Sequence, residues 1–182
     1  MLFSQQVTLK NGKPILLRSP QPADVELLLS FVNKISREDT YITLSGETLT
    51  YNEEEHYLVQ SCFEIEQGNR VQLFAFDGDL LAANADIHRI TRFRKRSLHV
   101  GEVAISVLQE YRGLGLGRFL LETLITQAKN NNFRLLVLSA FSENTRAVTL
   151  YQKLGFKVAG EIPGAIWYKD RYIGEVHMYK EL

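Results

Sequence analysis

This sequence has few of the features that indicate a disulfide-stabilised or a nucleic-acid-binding protein. It has 182 residues and one cysteine, Cys62, so no disulfide can form within the chain, which suits the reducing cytoplasm. Lys plus Arg equals Asp plus Glu at 21 each, and this balance lacks the basic excess of a nucleic-acid-binding domain. We therefore expect a cytoplasmic protein with no nucleic-acid partner.

Membrane and metal signals are also missing. No apolar run reaches the roughly 18 residues of a membrane span, and the first four residues do not begin a secretory signal. His56, His88 and His177 are scattered without the spacing of metal ligands, so no metal is expected. The hydrophobic content of 45% is ordinary for a globular protein. These features predict one soluble domain over residues 1–182, without a membrane partner.

Helical and extended patterns alternate along the chain. Segment 50–67 begins with a capping box, Thr50 to Glu53, and predicts a helix. Segments 71–76 and 80–90 predict a hairpin across Asp77-Gly78, and segments 156–162 and 166–179 predict the last strands. The pattern as a whole predicts an α/β fold (α+β, with a mixed sheet) of about seven strands and four helices.

The most informative segment is the glycine-rich turn 112–117, with the sequence RGLGLG. It follows an apolar, β-branched run and precedes leucines at helical spacing. Small residues let backbone N–H groups approach phosphate oxygens, and the helix N-terminus adds partial positive charge. Arg112 and Arg118 flank the turn and can pair with the same anion. The turn predicts a phosphate-bearing ligand; the alternative is a loop required only for tight helix–strand packing.

Glycine spacing narrows the choice of ligand. A dinucleotide fingerprint counted from Gly113 would need glycine where Arg118 stands, and no acidic residue closes a second strand about 20 residues on. A P-loop would end in G-K-[ST], whereas this turn ends in Gly117-Arg118-Phe119. The pattern that remains is R-x-x-G-x-G.

A second pattern, N-x-x-A-x-x-L-Y-x-x-x-G-F, occupies segment 144–156. Ser142 or Asn144 can cap a short helix, and Gly155 can end it in a left-handed conformation. Asn144 and Tyr151 then share a helix face, about 10 Å apart along the axis. Tyr151 has two interpretations from this pattern, a catalytic hydroxyl or a half-buried core aromatic.

These two patterns, in this order, resemble the signature segments of the GNAT superfamily of acyl-coenzyme A-dependent N-acetyltransferases. The resemblance implies acetyl-coenzyme A as donor, and two central strands that splay apart so that the pantetheine arm completes the sheet. It also implies the donor-binding residues. Pantetheine would bind backbone groups of Ile105, Ser106 and Val107. Pyrophosphate would bind at the turn, formed by Arg112, Gly113, Leu114, Gly115, Leu116, Gly117 and Arg118, and Asn144 would contact the cofactor arm or the amine.

Transfer to an amine requires a base for the ammonium proton and an acid for the leaving thiolate. We predict Tyr151 as the general acid. Glu102, on the strand leading into the turn, is the predicted base, with His99 or a water chain as alternatives and a structural ion pair as its other interpretation. Some family members carry a glutamate on the strand before the second motif, where this chain has Ser139. Direct transfer is expected because Cys62 lies outside both motifs.

The resemblance implies a small-molecule or peptide amine as the acceptor. The resemblance suggests that Glu47 or the acidic run 53–55 holds a cationic amine, whereas the run also suits a helix dipole. A basic cluster is interpreted as a solvated hairpin tip, with attraction of an acidic acceptor or the cofactor's 3′-phosphate as the alternative; its members are Arg89, Arg92, Arg94, Lys95 and Arg96. A homodimer is compatible with the family. The alternative function is a catalytically silent module that senses acyl-coenzyme A.

Overall fold

The computed structural model describes residues 3–91 and 95–182, so Arg92 and Arg94 of the basic cluster lie outside the described residues. The described strands are β1 (Ser4–Thr8), β2 (Pro14–Arg18), β3 (Arg70–Asp77), β4 (Leu80–Arg89), β5 (Val100–Val107), β6 (Leu135–Phe141), β7 (Lys157–Tyr168) and β8 (Arg171–Glu181). They form one sheet in the order β1-β2-β3-β4-β5-β6-β8-β7. The β5–β6 pair is parallel and the other pairs are antiparallel.

Four α-helices pack on this sheet: α1 (Val25–Ser36), α2 (Tyr51–Glu66), α3 (Leu116–Asn130) and α4 (Thr145–Lys153). Helix α2 begins at the predicted capping box. The Thr50 hydroxyl accepts from the Glu53 backbone N–H, and the Glu53 carboxylate accepts from the Thr50 N–H at 2.8 Å. Helix α3 buries one face, formed by Leu116, Leu120, Leu121, Leu124 and Ala128. The predicted mixed sheet with four helices is confirmed.

The two faces of the sheet carry different helices. Gln72 of β3 donates a hydrogen bond to the Tyr57 hydroxyl of α2 at 3.2 Å, and Gln72 lies in one cross-strand row with Ala104 of β5. Ile105 follows Ala104 and therefore points to the opposite face. There, a Cβ added at Gly117 of α3 would lie 3.7 Å from Ile105 Cδ1. We call these the α2 face and the α3 face.

The last hairpin differs from its prediction. The chain was expected to break near Pro163 and Gly164, but β7 continues through them and turns at Lys169 and Asp170, whose φ angles are 48° and 61°. Proline is tolerated here because β7 is an outer strand, and an irregularity between Ile162 and Ile166 absorbs the shift in register. The strand count is therefore eight among the described residues, against about seven expected.

Candidate active site

A wedge opens in the middle of the sheet between β5 and β6. The two strands pair only over three rows, from Val100 with Leu135 to Glu102 with Val137. Beyond that point β5 continues to Val107 beside β4, and β6 continues beside β8. The facing edges of β5 and β6 therefore separate after Glu102, and the predicted splay of two central strands is confirmed.

Backbone direction along β5 shows which residues line the wedge. The Leu108 N–H donates to Ala82 O at 3.0 Å, toward β4. Because backbone groups alternate in direction along a strand, those of Val107 and Ile105 point into the wedge and those of Ser106 point to β4. The Val107 carbonyl already accepts from Arg112 Nε at 2.8 Å. Ile105 is thus the predicted pantetheine contact whose backbone lies most openly at the wedge.

The glycine turn closes the wedge at the N-terminus of α3. Gly113 and Gly115 have φ angles of 83° and 96°, a left-handed conformation that L side chains rarely adopt. Gly115 is the N-cap of α3, so the first helical N–H groups, at Leu116 and Gly117, have no acceptor within the helix. Leu114 is half-buried, and its carbonyl accepts from the Lys10 N–H at 3.1 Å. The geometry is that of an anion site.

Gly117 also takes part in helix packing. It has helical geometry, and a Cβ there would lie 3.6 Å from Leu150 Cδ2 of α4 and 3.7 Å from Ile105 Cδ1. These are ordinary contact distances, so α3, α4 and β5 meet closely at this residue. A Cβ would fit at Gly117, so packing does not require glycine there, whereas the left-handed conformation of Gly113 and Gly115 favours glycine.

The predicted arginines of the turn have protein partners. Arg112 pairs with Glu38, from the segment after α1, as well as with the Val107 carbonyl. Arg118 pairs with Glu122 at 2.8 Å, and its side chain is 66% exposed, so it can turn toward a ligand at little cost. Arg112 thus holds the turn onto β5 and the α1–α2 connection.

Two cationic residues that were not predicted to bind the donor, Arg146 and Lys10, lie beside the glycines of the turn. The Arg146 guanidinium would be 2.7 Å from a Cβ at Gly113, and the aliphatic part of Lys10 would be 3.8 Å from one at Gly115. Arg146 lies within the second motif, so the sequence could have indicated it as a phosphate-binding candidate. The sequence did not indicate Lys10 as a site residue, because only the fold brings the turn between β1 and β2 beside the glycine turn.

The two polar residues of the second motif have definite roles in α4. The Asn144 carboxamide oxygen accepts from the Ala147 N–H at 3.2 Å and caps the helix, which leaves its NH₂ group for a ligand. Tyr151 is buried at 8% exposure and packs edge-on against Phe156, with ring centroids 5.9 Å apart. Burial raises the pKa of the Tyr151 hydroxyl to about 12, so this group is protonated at neutral pH.

Glu102 lies at the vertex of the wedge on the α2 face, at one end of a row of polar side chains. His88 Nε2 is 3.6 Å from Glu102 Oε2, and His88 Nδ1 is 2.9 Å from Asp86 Oδ2. Asp86 in turn accepts from Arg70, and Arg70 also donates to Glu64 of α2, both at 2.8 Å. Sequence reasoning treated His88 as an isolated histidine, since its partners come from other strands and from α2.

A second polar group lies across the wedge on the same face. Ser139 of β6 donates to Glu175 Oε1 of β8 at 2.8 Å, and His177 Nε2 is 3.2 Å from Glu175 Oε2. The Glu175 carboxylate of β8 thus lies beside Ser139, the residue at which this sequence differs from family members that carry a glutamate there. Nearby, Tyr41 of the α1–α2 connection packs on Phe141, with centroids 5.9 Å apart. The α1–α2 connection therefore reaches over this side of the sheet.

The remaining predicted residues lie in less suitable surroundings. His99 is exposed and precedes β5, where its carbonyl accepts from the Arg134 N–H at 2.8 Å. The Glu53 carboxylate is used in the α2 cap, and that contact with Thr50 lowers its pKa. Arg89 lies over the Phe133 ring, 4.4 Å from its centroid, and donates to the Asn131 carbonyl at 2.9 Å. Arg89 thus ties β4 to the end of α3.

In residues 3–91 and 95–182 no cluster of three or more His, Cys, Asp or Glu side chains has the arrangement of a metal site. No helix in that part of the chain is long and apolar enough to cross a membrane.

Comparison with known proteins identifies the family. Residues 33–156 match the acetyltransferase (GNAT) family. The GNAT-family acetyltransferase from Streptococcus pneumoniae is similar in structure, with a TM-score of 0.84 and 31% identity over 92% of this chain and 99% of that one. The chain therefore belongs to the acetyltransferase (GNAT) family and has its fold, as the two motifs indicated.

Two further proteins are informative. The structure of yncA from Salmonella typhimurium, which contains its cofactor acetyl-coenzyme A, has a TM-score of 0.79 at 20% identity over 92% of this chain and 94% of that one, a likeness of fold. Mycothiol acetyltransferase of Paenarthrobacter aurescens (strain TC1) is 28% identical over 128 residues, 65% of this chain. This match spans 39% of that relative's own length.

Proposed function

We propose that this chain transfers an acetyl group from acetyl-coenzyme A to a primary amine, directly and with both substrates bound. One observation carries the proposal: the wedge between β5 and β6 runs into the anion site at the N-terminus of α3. A ligand that is extended at one end and doubly phosphorylated at the other fits this combination. The acetyl-coenzyme A seen in the similar Salmonella structure supports the same donor.

In this proposal the donor lies along the open edge of β5. The Ile105 backbone binds pantetheine, with Val107 and Ser106 beside it, and the N–H groups from Gly113 to Gly117 bind pyrophosphate. Arg118 and Arg146 neutralise phosphate charge, whereas Arg112 acts by holding the turn. The Asn144 NH₂ group contacts the cofactor arm or the amine.

The acceptor amine would approach on the α2 face, where Glu102 meets the wedge. Carboxylates at Glu102 and Glu175 give this side a negative character that suits an ammonium group. Glu102 takes the first proton from the amine, and Tyr151 donates a proton to the thiolate that leaves. The reaction requires no metal. A small-molecule amine or a peptide amine can satisfy this chemistry.

Isothermal titration of acetyl-coenzyme A, with NAD and ATP as controls, tests the donor. We expect micromolar binding of acetyl-coenzyme A alone, followed by thiol release when amines are supplied. Binding of NAD or ATP instead would contradict the donor assignment. Donor binding without thiol release from a broad amine panel would instead indicate a silent module that senses acyl-coenzyme A.

The wider setting is part of the same proposal. The single sheet supports one domain over residues 1–182, and we place the protein in the cytoplasm without a nucleic-acid or membrane partner. We also propose a homodimer in which a second copy covers the outer hairpin. Its strand β7 is almost wholly exposed, and the hairpin exposes the large apolar side chains Val158, Ile162, Trp167 and Tyr172. Sedimentation velocity of the wild type and of I162K tests this contact, which I162K should weaken.

A further inference from the structure

We infer that His88, oriented by Asp86, receives the acceptor's proton through Glu102, so that Glu102, His88 and Asp86 form one proton-transfer chain. The inference rests on the proposed function and adds to it two residues of β4. Its basis is the row of side chains that ends where β5 and β6 separate.

The three side chains stand side by side on the α2 face. His88 and Glu102 are cross-strand partners in the β4–β5 ladder, and Asp86 is two residues from His88 on the same face. The exposed fraction of the side chain falls along the row, from 50% at Glu102 to 31% at His88 and 6% at Asp86. The chain therefore leads from the open wedge into the protein.

Asp86 is held in place by Arg70 of β3. It accepts from Arg70 Nη1 at 2.8 Å, and Arg70 is held by the Glu64 carboxylate at 2.8 Å and lies 3.4 Å from the Tyr57 hydroxyl. Burial opposes the charge on Arg70 but is outweighed by Asp86, Tyr57 and Glu64, so the pKa of Arg70 is raised. A permanent cation therefore keeps Asp86 in place as an acceptor.

An ionised Asp86 selects one tautomer of the neutral imidazole. Since the carboxylate can only accept, the His88 Nδ1 atom must carry the hydrogen in their 2.9 Å contact. The Nε2 lone pair then faces Glu102 Oε2, 3.6 Å away, and the two can form a hydrogen bond after a small shift once Glu102 carries the proton of the amine. The charged groups that face His88 are thus Asp86 on its own strand, Glu102 on β5 and Arg70 on β3, with Tyr57 and Glu64 of α2 behind Arg70.

Position relative to the wedge connects the chain with the reaction. Glu102 and Val137 form the last paired row of β5 and β6, so Glu102 stands at the vertex of the wedge. The face is the one covered by α2, opposite α3 and its glycine turn. A thioester lying along β5 would meet an amine from this side beside the Glu102 carboxylate.

An imidazole suits the task better than a carboxylate alone. An ordinary glutamate titrates near pH ~4.3 and an ordinary imidazole near ~6.5, and a base whose pKa lies nearer the working pH is more effective. An imidazolium formed at His88 would also lie between two carboxylates, which stabilise the proton after it arrives. Glu102 then contacts the amine, while His88 stores the proton and Asp86 orients the ring.

The proton balance is as follows. The ammonium group loses one proton through Glu102 to His88 Nε2, and the lone pair that is freed forms the C–N bond to the thioester carbon. The C–S bond then breaks, and the thiolate takes a proton from Tyr151. The second proton on nitrogen leaves through water and restores Tyr151, while His88 returns the first proton to solvent. The products are the N-acetyl amine, coenzyme A and one proton.

The pH profile of kcat/KM for the amine tests the chain with H88Q, D86N and the control H56Q, which changes an exposed histidine of α2. We expect H88Q to lower kcat by about 10²-fold to 10⁴-fold, to lose the acidic limb of the profile and to bind acetyl-coenzyme A normally. D86N should shift the acidic limb of the profile along the pH axis. H56Q should give the rate and the pH profile of the wild type. An H88Q rate and profile equal to those of the wild type would overturn the inference and leave the acetyltransferase proposal standing. Absence of transfer by the wild type would overturn both.

A second measurement requires neither turnover nor a variant at His88. Nitrogen-15 NMR of labelled histidines in the intact wild-type protein reports which ring nitrogen carries the hydrogen. We expect neutral His88 to be the Nδ1–H tautomer in the wild type and to change toward Nε2–H in D86N. An Nε2–H tautomer in the wild type would overturn the inference, since Nε2 could then not accept a proton.

Discussion

At the scale of single residues, burial separates the two groups that were predicted to move protons. Tyr151 is buried against Phe156, whereas the Glu102 side chain is half exposed at the vertex of the wedge. Burial of Tyr151 agrees with the core aromatic interpretation, and its raised pKa keeps the hydroxyl protonated, as the catalytic interpretation requires. Its catalytic role stays a prediction.

Replacing Tyr151 tests that role directly. We expect Y151F to lower kcat by about 10²-fold to 10⁴-fold, because the thiolate loses its proton donor while the ring still packs. Binding of acetyl-coenzyme A, measured by calorimetry, should be unchanged. Steady-state kinetics that show wild-type turnover in Y151F would assign thiolate protonation to water or to another group.

The same residue predicts a change in alkaline stability. Folding raises the pKa of Tyr151 from 10.0 to about 12, so the neutral phenol is favoured in the folded state. Its contribution is complete below about pH 10 and is lost as pH rises through 12, by up to roughly 3 kcal/mol. Urea unfolding between pH 9 and 12 should therefore show a smaller loss of stability for Y151F. Tyr57 and Tyr111 also have raised pKa values through burial, so part of the loss should persist.

The matched control for this measurement is Y172F. Tyr172 is 73% exposed, so the substitution removes a hydroxyl that burial does not protect. Y172F should lose stability with pH as the wild type does. Equal alkaline curves for Y151F and the wild type would show that Tyr151 ionises as readily in the folded protein as in the unfolded one.

Arg112 and Arg118 are equivalent in the motif but differ in the structure. The Glu38 partner of Arg112 is 9% exposed, whereas Arg118 makes an exposed pair along α3. We expect R112A to cost about 1–3 kcal/mol of unfolding free energy and R118A less than about 0.5 kcal/mol. A double-mutant cycle with E38Q, followed by urea unfolding, should show coupling above about 1 kcal/mol for Arg112. Additive effects of R112A and E38Q would contradict the pairing.

At the scale of elements, a single segment carries two functions. The glycine turn ends one strand, starts α3 and presents its first N–H groups to the wedge, while Gly117 brings α3 and α4 together. Sequence spacing located the turn and the helix that follows it. Which glycines serve conformation and which serve packing depends on φ angles and on neighbours from α4 and β5.

Alanine substitutions separate these two uses of glycine. At Gly115, with φ of 96°, a side chain should cost about 1–2 kcal/mol and weaken acetyl-coenzyme A binding, because the N-cap shifts. G117A is the control, since its Cβ fits at ordinary distances and alanine favours a helix. Urea unfolding and calorimetry on both variants check this. Equal effects of G115A and G117A would show that the left-handed conformation is dispensable.

At the scale of the whole molecule, the proposed function places the phosphate end of the donor and the acceptor on opposite faces of the sheet. The anion site belongs to α3, on one face, and Glu102 opens on the other, so the wedge between β5 and β6 is where the two substrates would meet. This arrangement is suited to a ternary complex. Cys62 of α2 is a free cysteine, and it takes no part in the direct transfer that we propose.

Direct transfer predicts a kinetic pattern. Burial raises the pKa of the Cys62 thiol, with smaller contributions from Asp24 and Glu66, so the thiol stays protonated and is a poor nucleophile. Initial rates at varied donor and acceptor concentrations should give intersecting double-reciprocal lines, and C62A should retain the wild-type rate. Parallel lines with an acetyl group on Cys62 by mass spectrometry would instead establish a covalent intermediate.

Much of the fold was determined by local sequence. The capping box of α2, the hairpin of β3 and β4, the glycine turn and the cap of α4 all follow from interactions within a few residues, and each appears in the structure where it was predicted. The turn between β7 and β8 was misplaced at Pro163 because proline and glycine usually mark turns. An outer strand tolerates both, and strand order is a tertiary property.

The site was determined by sequence only in part. The motifs predicted the donor segment, Tyr151 and Glu102 as site residues, because these lie in or beside contiguous patterns, and those roles stay predictions. Tertiary structure alone decided that Glu38 holds Arg112, that Lys10 lies against Gly115, and that His88 lies between Asp86 and Glu102. The physical reason is the range of each interaction: turns, caps and periodicity act over a few residues, whereas ion pairs and proton-transfer chains depend on distances that strand register and helix packing set.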